Sequence, residues 1–183
     1  ALSIQRLPVS DKLRNIAESF CELAENKNLN YQLDIEPDIE WNTDISCFNK
    51  IANNLISNAF KYTPEEGTIN VSLKTENQHL TLSISNSGKG IAKENLLKIF
   101  DRYKILDSFE MNGKNSRNGL GLAICKSMTT LLNGEINVSS IQNEVTTFIV
   151  TLPELSPSQQ EADMSRKEYE TTPINTNTES IEL

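Results

Sequence analysis

The chain has 183 residues, a length typical of one domain with room for a substantial hydrophobic core. Its 17 basic and 25 acidic residues give a net charge of −8, which argues against a nucleic-acid binder or a membrane-surface binder. No apolar run approaches the ~18 residues of a membrane span. We therefore expect a soluble domain that binds no nucleic acid, makes no direct membrane contact and meets its partners at local sites.

Three segments carry the apolar spacing of an amphipathic helix, namely residues 13–24, 48–59 and 120–131. Alternating apolar residues predict strands at 69–73, 80–84 and 148–152, with a partner strand around Ile136 and Val138. Helices therefore precede, interrupt and follow a mixed, largely antiparallel sheet. The simplest architecture is an α/β (α+β) two-layer sandwich in which three helices cover one face of the sheet.

The end of the chain differs in composition from the rest. Residues 154–183 contain seven acidic and two basic residues, include Pro157 and Pro173, and lack apolar periodicity. Such a segment buries too little apolar surface to offset the entropy of ordering it. We therefore expect a domain over residues 1–153 followed by a polar acidic tail or linker, with an interaction tail as the alternative.

The second predicted helix carries a polar strip beside its apolar face. Asn54, Asn58 and Lys61 stand at i, i+4 and i+7, which places them along one edge of a helix. Asparagine is a mediocre helix former, so two on one edge favour a function. A carboxamide oxygen suits a hard cation such as Mg²⁺, and the ammonium of Lys61 suits a phosphate. A solvent-exposed flank is the alternative.

Two pairs of glycines follow the polar strip. Residues 86–91, Asn-Ser-Gly-Lys-Gly-Ile, come directly after an alternating strand, and residues 118–122, Asn-Gly-Leu-Gly-Leu, open the third helix. Paired glycines let a backbone approach a ligand closely, and the amides at a helix start favour a phosphate. The first pair alone equally suits a tight turn.

Four motifs, taken in order, resemble those of one protein family. NNLISNAFKYTP (53–64), NSGKGI (86–91), IFDRY (99–103) and RNGLGLAI (117–124) are similar to its N box, first glycine box, F box and second glycine box. Together they resemble the catalytic ATP-binding domain of sensor histidine kinases, within the GHKL ATPase superfamily. The resemblance covers about residues 8–153 and implies the Bergerat-type ATP-binding fold.

The resemblance also implies ATP and Mg²⁺ as cofactors and assigns roles to residues. Asn54, Asn58 and Lys61 are the implied catalytic residues, with Mg²⁺ on Asn58; Tyr62 lines the adenine pocket, and Asn86 stands where the family has an adenine-binding aspartate. The other implied nucleotide contacts lie in the glycine boxes, the lid and the last strand: Gly88, Gly90, Ile91, Arg102, Tyr103, Lys104, Arg117, Gly119, Leu120, Gly121, Leu122 and Thr147.

Three features depart from the family pattern. Asn86 replaces the aspartate, Arg117 replaces the leading glycine of the second glycine box, and residues 143–148 lack the glycines expected before the last strand. An amide at position 86 still accepts a hydrogen bond from the adenine amino group. A lid is expected over about residues 101–117, and the other two departures bear on its geometry.

The resemblance implies transfer of the γ-phosphate of ATP to a histidine in two-component signal transduction. That histidine would lie on a dimerisation and phosphotransfer domain of the same parent protein, because His79 is predicted to sit on a strand, facing away from the apolar side. A response regulator or fused receiver domain would act downstream, and the domain would be the cytoplasmic part of a membrane-anchored sensor. The alternatives are a GHKL serine kinase of the anti-sigma type and a degenerate nucleotide-binding module without transfer.

Overall fold

The computed structural model describes residues 1–101 and 119–157. In this part of the chain the strands are β1 (Gln5–Pro8), β2 (Asn30–Ile35), β3 (Glu40–Thr43), β4 (Thr68–Glu76), β5 (His79–Ser87), β6 (Glu135–Ile141) and β7 (Val145–Pro153). The helices are α1 (Val9–Glu18), α2 (Cys21–Asn26), α3 (Ile45–Tyr62), α4 (Lys93–Leu96) and α5 (Gly119–Leu131).

Five strands form one mixed sheet in the order β2-β4-β5-β7-β6. Strand β2 runs parallel to β4, and every other neighbouring pair in this sheet is antiparallel. Strands β1 and β3 form a separate antiparallel pair. The predicted sheet is therefore confirmed, including the partner strand at Ile136 and Val138, which is β6.

One face of the five-stranded sheet is apolar and carries the helices. Every second residue of the central strands is buried on this side: Ile69, Val71, Leu73, Leu80, Leu82, Ile84, Phe148, Val150 and Leu152. Helix α3 contacts β4 and β5, α1 contacts β2, and α5 contacts β6. On the other face His79 is exposed, with its ring Nδ1 2.9 Å from the carbonyl oxygen of Asn77. The two-layer architecture and the outward orientation of His79 are as predicted.

Helix α3 lies at the centre of the core. It packs against α1 on one side and α5 on the other. The buried residues of α3 are Cys47, Phe48, Ile51, Ala52, Leu55, Ile56, Ala59 and Phe60. Between α3 and α5, the Cys125 thiol lies 3.7 Å from the carbonyl oxygen of Ile51, and burial raises its pKa to about 12. That thiol is therefore neutral at physiological pH and acts as a packing group.

The first predicted helix, over residues 13–24, is wrong as a single helix. The chain forms α1 and α2, separated by Ser19 and Phe20. The Ser19 hydroxyl donates a hydrogen bond to the carbonyl of Ile16 (2.6 Å), and the Phe20 ring stacks on Phe60 at 5.1 Å between centroids. Packing of this aromatic pair therefore competes with continuation of the helix. Cys21, at the start of α2, is exposed.

The small β1–β3 sheet is fastened to the end of β7. The indole Nε1 of Trp41 donates to the carbonyl of Pro153 (3.3 Å), and the Leu155 amide donates to the carbonyl of Asn42 (3.1 Å). Arg6 forms an ion pair with Glu154 at 3.2 Å. Ordered contacts thus extend two residues past the expected boundary at 153, and residues 158–183 of the predicted tail lie outside the described residues.

Among the helices that the structure describes, none combines the length and the apolar character needed to cross a membrane.

Asp44 begins α3 and also holds the N-terminal segment. Its Oδ1 accepts from the Cys47 amide (2.9 Å), and its Oδ2 accepts from the Ser3 amide (2.8 Å). Burial alone would raise the pKa of this carboxyl, but the hydrogen bonds from Cys47, Ser3 and Ser46 hold it below the ordinary value. The ionised form is therefore the one that stabilises the fold.

We predict that Asp44→Asn lowers the free energy of unfolding by about 1–3 kcal/mol at pH 7, because an amide has one oxygen for two N–H donors. A depressed pKa contributes stability above the unfolded value of about 3.9, and this contribution disappears as the pH falls through the folded pKa. Urea denaturation of both proteins at several pH values measures the difference. The exposed Asp34→Asn is the control, and a gap between wild type and Asp44→Asn that stayed constant down to pH 2 would contradict the prediction.

Candidate functional site

The polar strip of α3 lies at the edge of the core, as its spacing predicts. Asn54 and Asn58 are half-buried and alternate with the buried Leu55 and Ala59. Neighbouring Asn53 is exposed and its amide nitrogen donates to the carbonyl of Asn49 (2.9 Å). Within residues 1–101 and 119–157, no protein group hydrogen-bonds the side-chain amides of Asn54 and Asn58. Both carboxamides are therefore available to a ligand.

The first turn of α5 lies beside this strip. A Cβ on Gly121 would lie 3.4 Å from Asn54 Oδ1, in van der Waals contact, so this turn packs closely against the strip. Gly119 is the first residue of α5 and Leu120 the second, so the amides of this turn begin next to Asn54. Leu122, also predicted as a nucleotide contact, is buried in the core, so only its backbone is available to the site.

The end of α3 meets the first glycine box. Lys61 and Tyr62 are exposed, with the ammonium of Lys61 5.1 Å from the centre of the Tyr62 ring. A Cβ on Gly88 would lie 2.9 Å from the carbonyl oxygen of Tyr62. The backbone of Gly88 has φ of +150°, and glycine alone satisfies both the conformation and the contact.

The rest of this glycine loop rests on the hairpin between β6 and β7. Gly90 has φ of +76°, and a Cβ there would lie 2.8 Å from the hydroxyl of Ser140. That hydroxyl accepts from the Ile91 amide (2.9 Å) and lies 2.8 Å from the Thr146 hydroxyl. The loop conformation is therefore fixed by backbone contacts and by a pair of hydroxyls.

Asn86 is buried at the end of β5, on the helix side of the sheet, opposite Ile69 and Thr146 on the neighbouring strands. Its Nδ2 donates to the carbonyl of Ser87 at 3.0 Å. This hydrogen bond orients the amide, and within the described part of the chain no group donates to its Oδ1.

The structure places Thr147 away from Asn86. Thr147 pairs with Ser85 and Ser139, and alternation along the strand turns its side chain toward the other face of the sheet. Thr146 is the threonine on the side of Asn86, and sequence analysis missed both it and Ser140. The sequence does contain the information needed to find Thr146. The alternation of the buried residues Phe148, Val150 and Leu152 assigns position 146 to the same face of the sheet as these residues.

The segment that leads into the expected lid is held by the core. Ile99 is buried, and the Phe100 ring packs edge-to-face on Phe148 with 6.2 Å between centroids. Beyond Asp101 the expected lid lies outside the described residues, as do the predicted contacts Arg102, Tyr103, Lys104 and Arg117.

The described residues contain no group of three or more His, Cys, Asp or Glu side chains arranged to hold a metal ion. Mg²⁺, however, commonly binds through one or two protein oxygens, with phosphates and waters completing its octahedron. The half-buried carboxamide of Asn58, which no described residue hydrogen-bonds, fits that ligand set.

Comparison with known proteins identifies the domain type. Residues 43–156 match the family model described as "Histidine kinase-, DNA gyrase B-, and HSP90-like ATPase". Histidine kinase P4 of Formosa agariphila is 37% identical over 144 residues, covering 77% of this chain and 10% of that protein. Sensor protein SrrB of Staphylococcus aureus is 32% identical over 146 residues, covering 80% of this chain and 25% of its own length. The chain thus spans between a tenth and a quarter of these two relatives.

Solved structures agree in fold. The nucleotide-free catalytic domain of histidine kinase ThkA superposes with a TM-score of 0.72 at 23% identity, covering 84% of this chain and 97% of that chain. The mycobacterial sensor histidine kinase MprB gives 0.66 at 21% identity, with coverage of 85% and 99%. With its family match and its two-layer fold both established, the chain belongs to the histidine kinase-, DNA gyrase B- and HSP90-like ATPase family.

Proposed function

We propose that the chain is the catalytic domain of a sensor histidine kinase, which binds ATP with Mg²⁺ and transfers the γ-phosphate to a histidine on another domain. The observation that carries the proposal is that α3 packs against the Gly88 loop at Tyr62 and against the first turn of α5 at Asn54, with Asn58 and Lys61 between these two contacts along the helix. These elements offer amide oxygens, an ammonium and the backbone amides of a helix start, which are groups that bind a nucleoside triphosphate.

Asn86 is the proposed base-recognition residue. Its Nδ2 is engaged by Ser87, so Oδ1 is the atom that would accept from the exocyclic amino group of adenine. Guanine carries a carbonyl at the equivalent ring position, and two acceptors facing each other repel. Turning the amide to suit guanine would break the hydrogen bond to Ser87.

The remaining groups suit phosphates. Lys61 supplies a positive charge, and the N-terminal amides of α5 favour an anion. Asn58 would hold Mg²⁺, which when bound neutralises charge on the phosphate oxygens. Phosphoryl transfer depends mainly on such positioning and charge stabilisation, so little covalent chemistry is required of the protein.

Water is a poor acceptor in this proposed site. A carboxamide takes up no proton at neutral pH, so neither Asn54 nor Asn58 can act as a general base toward water. The phosphate is then retained for an acceptor that enters from outside, and we assign that role to a histidine on a dimerisation and phosphotransfer domain. His79 does not suit this role, because it lies on the sheet face opposite α3.

The proposed partners rest on similarity to other proteins. One solved structure shows histidine kinase ThkA in complex with response regulator protein TrrA. By similarity we propose a response regulator, or a receiver domain of the same protein, as the downstream partner of this chain. We also propose that the parent protein is a membrane-anchored sensor with this domain on the cytoplasmic side.

Asn58→Ala tests the proposed metal site. We predict loss of most of the Mg²⁺-dependent affinity for a nonhydrolysable ATP analogue, because a ligand oxygen is removed from the cation. Calorimetric titration with and without Mg²⁺ measures that part of the affinity. Asn53→Ala removes an identical group from the outer face of the same helix and serves as the control. Equal Mg²⁺ dependence in wild type and Asn58→Ala would refute the assignment.

Asn86→Leu tests base recognition. We predict about a 3- to 10-fold loss of ATP affinity, corresponding to one buried hydrogen bond, with GTP affinity unchanged or improved. Competition between ATP and GTP for each protein gives the ratio directly. Asn70→Leu, on the opposite face of β4, is the matched control. An ATP-to-GTP ratio identical to that of wild type would remove Asn86 from the base site.

A further inference from the structure

We infer that Lys27 is a positioning residue for the nucleotide site, although it lies on the turn between α2 and β2 and belongs to none of the four motifs. The inference rests on the proposed ATP-binding function. Lys27 is half-buried, and its ammonium donates to the carbonyl oxygens of Phe60 (2.8 Å) and Thr63 (3.0 Å). Both carbonyls belong to the end of α3.

The end of α3 needs such a partner. A helix leaves its last carbonyls without intrahelical donors, and α3 ends at Tyr62 with no glycine to close it. The hydroxyl of Thr63 (2.5 Å) and its amide (3.0 Å) both bind the carbonyl of Ala59. Lys27 supplies donors to two further carbonyls, and a positive charge is favourable at this end of a helix dipole.

Backbone hydrogen bonds hold the same turn to the segment that follows α3. The Glu66 amide donates to the Lys27 carbonyl (3.1 Å), and the Asn30 amide donates to the Gly67 carbonyl (2.8 Å). Gly67 itself is packed against Thr63 and Ser87, since a Cβ there would meet both below 3.0 Å. The position of Lys27 is therefore fixed relative to α3 and to the end of β5.

The two carbonyls that Lys27 binds flank Lys61 and Tyr62. The carbonyl of Tyr62 in turn would lie 2.9 Å from a Cβ on Gly88, so the last turn of α3 is packed directly against the glycine loop. Without the ammonium, this turn loses two hydrogen bonds and the proposed phosphate-binding and base-lining residues lose their fixed position. Lys27 would then affect nucleotide binding without touching the nucleotide.

The test compares Lys27→Met with Lys27→Arg, which keeps the charge and several donors, and with Lys74→Met, an exposed lysine on the opposite sheet face. At a temperature where all variants are folded, we expect Lys27→Met to bind a nonhydrolysable ATP analogue with Mg²⁺ about tenfold more weakly. Lys27→Arg should recover most of the affinity, and Lys74→Met should match wild type. A merely structural role would lower the melting temperature and leave the affinity of the folded protein unchanged, and that result would overturn the inference.

Amide hydrogen exchange without nucleotide provides a second readout. We expect faster exchange at Thr63 and at Gly88 in Lys27→Met than in wild type, with the amides of β7 unchanged. Failure of wild type to bind ATP would contradict the proposed function, whereas unchanged exchange at these two amides would contradict the role of Lys27. Should Lys27→Met fail to fold, Lys27→Gln, which keeps one donor group, takes its place in both measurements.

Discussion

The burial of α3 is the constraint on which the rest of the structure depends. Eight of its side chains lie in the core between the sheet, α1 and α5, so its axial rotation is fixed by apolar packing. Because Asn54, Asn58 and Lys61 stand on the same helix, that packing also fixes the side of the helix from which their side chains extend. The stability of the core and the geometry of the site therefore have a common origin.

Polar contacts at both ends of α3 hold neighbouring segments of the chain in place. Asp44 joins its first turn to Ser3, and Lys27 joins its last turn to the α2–β2 turn. The carbonyl of Tyr62 lies so close to Gly88 that no side chain fits between them. The elements around the candidate site are far apart in sequence, and they are held together both by direct backbone contacts and by the side chains of Asp44 and Lys27, which bridge neighbouring segments.

The apolar patterns predicted most of the fold, and the failures have physical reasons. The periodicity of α3 and the alternation of β4, β5 and β7 were sufficient because these elements bury one full face. The break at Ser19 was not predictable from spacing, because Phe20 leaves the helix to stack on Phe60, a contact of 40 residues' separation. Strand β2 has a recognisable pattern, the alternation of Tyr31, Leu33 and Ile35, but it is short and only Ile35 is buried. The positions of the α3 strip and the glycine loop were predicted from sequence motifs. Lys27 lies in no motif, and only folding brings its ammonium to the carbonyl of Phe60.

Phosphoryl transfer tests most directly whether this site supplies phosphate to a histidine. The chain would be mixed with γ-labelled ATP, Mg²⁺ and a separately purified histidine-bearing dimerisation domain. Our account predicts an acid-labile label on a histidine of the acceptor domain, and little release of phosphate to water. Acid-stable label on serine, or hydrolysis at the ~1–10 s⁻¹ of an ordinary enzyme, would contradict it.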